Sequence, residues 1–373
     1  MTESYIRVGL ITDGKPDMER EEGCTLVRNL RIGDGFHWSR TISARFAGEI
    51  IPLPETQGNI HVVNRLPLEE YVKSVTASEM NPRASSNFLM AHAIISRTWA
   101  LRKIQNCRCP FPEQKTRLRD RIVTWEESDS HRGFDVCSDD HCQRYQGLPT
   151  HHIREVEDAV TACRGEVLVY PDGDGGSELA DARFSKCCGG VTERFSSCWA
   201  EHDPAYLVSQ KDPWCLKLGQ MPPEDANLLL DRALKAYDRH TPALKWTENI
   251  SKADIADNVR KRYGIDLGNI LHIEPIKRGP SGRIVELKLI GSRSELTVGK
   301  ELEIRRLLKS DCLRSSWFDI TDETPETLTL SGRGWGHGVG LCQIGAAVMA
   351  EEGKDYGEIL RFYYPGTKIH KLY

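Results

Sequence analysis

The chain has 373 residues, 39% of them hydrophobic and 28% charged, an ordinary balance for a globular protein. Fifty basic residues against 54 acidic ones give a net charge of −4, without the basic excess that nucleic-acid partners call for. No stretch approaches the roughly 18 apolar residues that span a membrane, and the opening "MTESYIRVGLITDG" has neither the basic nor the apolar region of a signal peptide.

In chain order, the first 65 residues read as strands: "YIRVGLIT", "CTLVRNLRI", "RTISARFAGEI" and "NIHVVNRL" carry β-branched residues in partial alternation, separated by turn residues. "PLEEYVKSVTASEM" then changes to helical spacing, with Leu68, Tyr71, Val72 and Val75 three and four apart, and Asn81-Pro82 ends the helix. A second helix over 86–105 is apolar nearly all round in its first half, which predicts burial. Residues 106–150 have little periodicity and hold many Cys, His and charged side chains. A helix follows over 151–163, then short strands and Gly-rich turns over 166–215, and a polar helical section over roughly 222–264. The strands "HIEPIKR" and "RIVELKLIG", a helix near 299–309, the stretch "GRGWGHGVGLCQIGA" and two short helices complete the chain. The order is α+β: mixed strands and helices, not the regular alternation of a doubly wound parallel sheet.

Three features carry chemistry. The segment "HRGFDVCSDDHCQRYQG" offers His131, Cys137, His141 and Cys142, two imidazoles and two thiols that make a complete tetrahedral zinc set. With four protein ligands such a site is closed and structural, although the spacing is not that of a zinc finger. Two buried cysteines and two solvent histidines remain the plain alternative. The pairs Cys107/Cys109 and Cys187/Cys188 also suit metal binding better than a disulfide framework, while Cys24, Cys163, Cys198, Cys215, Cys312 and Cys342 read as small buried hydrophobes. Second, Glu79 ends the first helix among small and apolar neighbours, a setting that can raise a carboxyl from about 4.3 towards 6–7, as a general acid requires. Third, glycine occupies every second position from Gly332 to Gly340 around His337. Period two predicts an extended segment with one face all glycine.

"LPLEEYVKSVTASEMNP…AHAIISRTWALRK", "FSKCCGGVTE", "GRIVELKLIG", "LRSSWFDI" and "GRGWGHGVGLCQIGAAVMAEEGKDYGEILRFYYPGTKI" occur in that order. Together they resemble the SpoIID family, which includes the LytB amidase enhancers, over nearly the whole chain. The resemblance implies one domain over 1–373. Within it lie an N-terminal strand region (1–66), the glutamate helices and Cys/His segment (67–215), a helical and strand insertion (216–310), and a glycan-cleft segment with C-terminal helices (311–373). It implies a lytic transglycosylase that cleaves between N-acetylmuramic acid and N-acetylglucosamine in peptide-stripped glycan strands, leaving 1,6-anhydro ends. Glu79 takes the family's catalytic position, and zinc at His131, Cys137, His141 and Cys142 gains support.

On the same reading the glycine segment is a cleft wall that lets a pyranose ring lie close. Arg97, His337 and Gln343 grip the sugar, and Trp335 and Trp99 stack on it or belong to the core. The family usually has serine at Cys342, and the exchange raises a rival pairing of Cys342 as nucleophile with His337 as base. Five residues apart in an extended segment, those two side chains would face opposite ways. The implied partners are peptidoglycan glycan strands and a cell-wall amidase; the implied place is the cell envelope. A non-catalytic enhancer that only binds glycan is the alternative function, and a cytoplasmic zinc-stabilised protein a third.

Overall fold

The structure is a computed structural model that describes residues 3–36, 39–57, 59–106, 115–117, 120–124, 131, 133–149, 153–171, 175–234 and 244–373. Cys107 and Cys109 lie outside the described residues. The fold is α+β, as the order of elements predicts.

The N-terminal strands β1 (Tyr5–Glu21), β2 (Cys24–Ile32), β3 (Arg40–Phe46), β4 (Glu49–Gln57) and β5 (Ile60–Pro67) form an antiparallel sheet in the order β3-β2-β1-β5-β4. Ile6, Val8 and Leu10 alternate inward along β1, so one face of the sheet is dry. Helix α1 (Leu68–Glu79) follows β5 with no loop, and Glu69 and Glu70 in its first turn complement the helix dipole. It is buried on nearly every side, packed between the sheet and α2 (Ser86–Asn106). Around α1 and α2 one core gathers residues from Ile6 to Tyr364, including the C-terminal helices α8 (Gln343–Glu351) and α9 (Tyr356–Tyr363).

A second core forms around β12 (Lys245–Ser251), α6 (Lys252–Tyr263), β13 (Ile270–Arg278), β14 (Ile284–Gly291), β15 (Glu295–Gly299), α7 (Glu301–Leu308), β16 (Phe318–Glu323) and β17 (Thr327–Arg333). Strand β12 corrects the expectation of a polar helical section over 222–264. Within that range α5 (Pro223–Ala233) and α6 are helical, but Trp246 and Ile250 point into the core from a strand paired along its length with β17. The Ser251 side chain then caps α6 by accepting from Asp254 N–H.

The glycine stretch is the second correction. Strand β17 ends at Arg333, and Gly334, Gly336, Gly338 and Gly340 all have positive φ, so the chain coils where period two predicted an extended strand. The reason lies in what it wraps. Arg283, fully buried, donates from Nε to Gly336 O at 3.1 Å, and a Cβ on Gly338 would sit 2.5 Å from its guanidinium carbon. A Cβ on Gly340 would meet the carbonyl oxygen of Arg183 at 2.1 Å. Glycine there answers backbone geometry and a buried arginine.

Candidate active site

A cleft of about 740 Å³ opens between the two cores. Helix α1 delivers Glu79 to it from one side, and α7 presents Leu302, Arg305 and Arg306 from the other. Glu79 is 6% exposed, and among the described residues its one hydrogen bond comes from Arg144 N–H to Oε1 at 3.1 Å. The Arg144 guanidinium lies 3.9 Å from Oε2 and is itself held by Asp140 at 2.5 Å.

The loop that carries Arg144 is tied down on both flanks. Gln146 N–H donates to Ser78 Oγ, and Tyr145 N–H to Ser138 O. Immediately before Arg144, Gln143 accepts from the buried Tyr71 hydroxyl at 3.1 Å, while its own Nε2 has no hydrogen-bond partner. Ser185 Oγ, on β11 (Phe184–Ser185), is likewise buried and unpartnered at the cleft. They are two of nine buried side-chain polar atoms without a hydrogen-bond partner among the described residues.

The same loop gathers His131, Cys137, His141 and Cys142. Their ligand atoms all lie within 4.8 Å of one another. Cys142 Sγ stands 3.3 Å from His131 Nε2 and 3.6 Å from His141 Nδ1, and Cys137 Sγ 3.8 Å from His141 Nδ1. A tetrahedron with zinc–nitrogen and zinc–sulfur bonds of about 2.0–2.3 Å has edges of roughly 3.3–3.8 Å, so the four groups fit a metal ion. Adjacent His141 and Cys142 both reach the centre because the turn Asp139–Cys142, closed by Cys142 N–H to Asp139 O at 2.8 Å, folds them to one side.

A family model described as Stage II sporulation protein (SpoIID) matches residues 56–170, the span that holds α1, α2 and this loop. A second, described as Domain of unknown function (DUF8618), matches 193–340. Stage II sporulation protein D of Bacillus subtilis is 27% identical over 310 residues, 82% of this chain and 75% of its own length. An uncharacterized protein of Brachyspira hyodysenteriae is 28% identical over 325 residues, 87% of this chain and 72% of its own. The amidase enhancer of Bacillus subtilis is 27% identical over 231 residues, covering 57% of this chain and 32% of its own length. The chain is thus similar to the SpoIID/LytB family. This likeness supports a cell-wall-related role, and no described helix is long and apolar enough to cross a membrane.

Trp335, His337, Gln343 and Trp99 all line the cleft with Glu79. Arg97 does not, which corrects its assignment to sugar binding. Fully buried, it makes a two-point ion pair with Glu69 at 2.8 and 2.7 Å and donates to Glu166 O at 2.9 Å. His337 Nδ1 accepts from Val339 N–H at 3.0 Å, which leaves the ring proton on Nε2. Burial, with the guanidinium charges of Arg183, Arg283 and Arg305, pushes its imidazole down to about 3, so the ring is neutral at physiological pH. Cys342 is wholly buried, its Sγ accepting from Cys188 N–H at 3.3 Å, and it does not line the cleft, so no nucleophile–base pair forms with His337.

Of the glycines in this segment, Gly336 lines the cleft, whereas Arg283 and neighbouring backbone fill the space beside Gly334, Gly338 and Gly340. Sequence reasoning missed Trp199, the half-buried ring that packs edge-on to His337 at 4.8 Å with the Arg183 guanidinium 4.2 Å over its face. It also missed Gln143, Arg144 and Ser185. Arg144, two residues past Cys142, was within reach of a reading that asked what the Cys/His loop positions.

Proposed function

We propose that this protein is a peptidoglycan lytic transglycosylase acting on peptide-stripped glycan strands, with Glu79 as general acid and then general base. The observation that carries the reading is the setting of Glu79: a buried carboxylate at the cleft, held by a backbone N–H and flanked by a guanidinium. A glycosidase that uses water ordinarily needs a second carboxylate to activate it or to attack. When the sugar's own 6-hydroxyl attacks, one carboxyl suffices. Glu79 protonates the glycosidic oxygen between N-acetylmuramic acid and N-acetylglucosamine, and the bond to the anomeric carbon breaks. It then takes the proton of the 6-hydroxyl as the 1,6-anhydro ring closes.

Neutral His337 and Gln343, with the unpartnered Gln143 Nε2 and Ser185 Oγ, supply polar contacts along the strand, and Trp335 and Trp199 supply apolar faces. His131, Cys137, His141 and Cys142 would hold zinc as a closed structural site. Its chemistry there is a fixed crosslink. The chain's own consequence is that the loop keeps Arg144 N–H against Glu79. The site of action in this reading is the cell envelope, with glycan strands as substrate and a cell-wall amidase as a partner in the same turnover of the wall.

The likeness to an amidase enhancer favours a second reading, a glycan-binding enhancer without catalysis. One experiment separates the two. Peptide-stripped strands are incubated with wild type and with Glu79→Gln, anhydro-muramic ends are counted by mass spectrometry, and strand binding is measured alongside. Anhydro ends made by wild type alone, with binding kept by both, support the enzyme. Binding by both without cleavage by either supports the enhancer.

A further inference from the structure

A second cluster of metal-ligand side chains lies one or two residues from the cleft wall in sequence. Cys188 stands two residues past the cleft-lining Lys186, and Cys342 precedes the cleft-lining Gln343. Cys188, Asp212, Cys215 and Cys342 each offer a ligand atom, all within 4.8 Å of one another and all shielded from solvent. The four come from three separate stretches of chain. The plain reading is a packed core of small thiols, and three observations count against it.

The first is the set of backbone donors. Cys188 N–H and Gly345 N–H donate to Cys342 Sγ at 3.3 and 3.4 Å, and Gly190 N–H donates to Cys188 Sγ at 3.3 Å. A neutral thiol is a weak acceptor, whereas a thiolate is a strong one. The second is Asp212, a fully buried carboxylate. Oδ1 accepts from Cys215 N–H at 2.8 Å and Oδ2 from the Tyr363 hydroxyl at 2.8 Å, with Cys188 Sγ at 3.4 Å. Carboxylates that ligate metals are oriented by such outer hydrogen bonds. The third is charge. The buried Arg283 guanidinium donates to the carbonyls of Cys188 and Cys187 at 3.1 and 3.4 Å, to Gly336 O and to Ser281 Oγ; among the described residues it has no direct carboxylate partner, Glu193 reaching it only through Ser281 Oγ. An anionic thiolate centre beside it offsets a cation that is otherwise costly to bury.

We propose that Cys188, Cys215, Cys342 and Asp212 hold a second structural metal ion, of the zinc class that thiolate-rich tetrahedral sets select. It ties 187–190, 212–215 and 342–345 together behind the cleft, and so fixes Ser185, Lys186 and Gln343, which face the ligand. Neither the Glu79 chemistry nor the His131 cluster is needed for this site to exist. Cys187 Sγ stands 3.6 Å from Cys215 Sγ, so a disulfide between those two is the competing use of the same sulfurs.

The test removes the other site. Zinc per chain is measured by elemental analysis on the full chain, for wild type, for the Cys137→Ser/Cys142→Ser double variant and for Cys215→Ser. The expected result is that the folded double variant retains about one equivalent and, reloaded with cobalt(II), shows sulfur-to-cobalt charge transfer and tetrahedral bands. A folded double variant without stoichiometric zinc or cobalt bands overturns the proposal, as does a Cys187–Cys215 disulfide found by mass spectrometry after alkylation of the denatured protein. If the double variant does not fold, Cys215→Ser decides. Loss of about one equivalent relative to wild type supports the site, and equal zinc in the two proteins overturns it.

Discussion

Helix α1 carries a buried glutamate at each end, and the two are treated in opposite ways. Glu69, in the first turn, has every oxygen engaged: Arg97 on both, the Tyr373 hydroxyl at 2.6 Å and Gly165 N–H at 3.4 Å. Glu79, in the last turn, receives one backbone N–H and a guanidinium 3.9 Å away, and the helix dipole gives a carboxylate no help at that end. Residue type, helix and burial match, so the difference is one of partners. The fully satisfied carboxylate fastens α1 to α2 and to the C-terminal residue, while the sparsely satisfied one faces the cleft. A buried polar group left short of partners is where a binding or catalytic role is to be sought.

The contrast breaks if the two glutamates respond alike to mutation. The largest effect is expected at Glu79. Glu79→Gln should lower turnover of stripped strands by roughly 100- to 10,000-fold, the range for a lost general acid–base group, with unfolding in urea moved by less than about 1 kcal/mol. Glu69→Ala should do the reverse. It strands the fully buried Arg97 charge, so unfolding free energy should fall by about 3–5 kcal/mol, while the protein that remains folded keeps the turnover of wild type.

A pH series sharpens the comparison. Burial raises the Glu69 carboxyl, but the Arg97 hydrogen bonds and charge, with Tyr373 and Gly165, outweigh it, and the carboxyl lies below its ordinary value. Its stabilising contribution is therefore whole above the unfolded value of about 4.3 and is lost as pH falls through the lower folded value. The stability gap between wild type and Glu69→Gln, followed by urea unfolding, should be constant from pH 7 to about 5 and close below about 4. The smallest effect is expected at Ser185, whose hydroxyl has no partner to lose. Ser185→Ala should leave stability within about 0.5 kcal/mol and weaken strand binding by roughly 2- to 10-fold, one hydrogen bond's worth.

Local signals carried much of the fold. Alternation marked β1, β2, β3 and β5, three-and-four spacing marked α1, all-round apolarity marked α2, and the runs "HIEPIKR" and "RIVELKLIG" marked β13 and β14, whereas β4 was not separated from the run "RTISARFAGEI". Strand β12 was lost because "KWTENIS" alternates weakly and is held by pairing to β17, more than 75 residues away in sequence. The glycine segment misled because period two is shared by a strand and by a coil with every second φ positive, and the partners that explain the second, Arg283 and the Arg183 carbonyl, come from distant parts of the chain. Arg97 was misjudged for the same reason: its partner Glu69 is distant in sequence, and nothing in "AIISRTWAL" reveals it. Of the two Cys clusters, the one within twelve residues was legible, and the one assembled from Cys188, Asp212, Cys215 and Cys342 was not.

The most direct test of a single carboxyl doing both proton transfers is to run the cleavage in heavy-oxygen water. Peptide-stripped strands are digested with wild-type protein, and the new muramic ends are weighed by mass spectrometry. The expected product is the 1,6-anhydro end with no heavy oxygen incorporated, since the attacking oxygen belongs to the sugar. New reducing ends that carry the label would show that water attacks and would contradict the role assigned to Glu79.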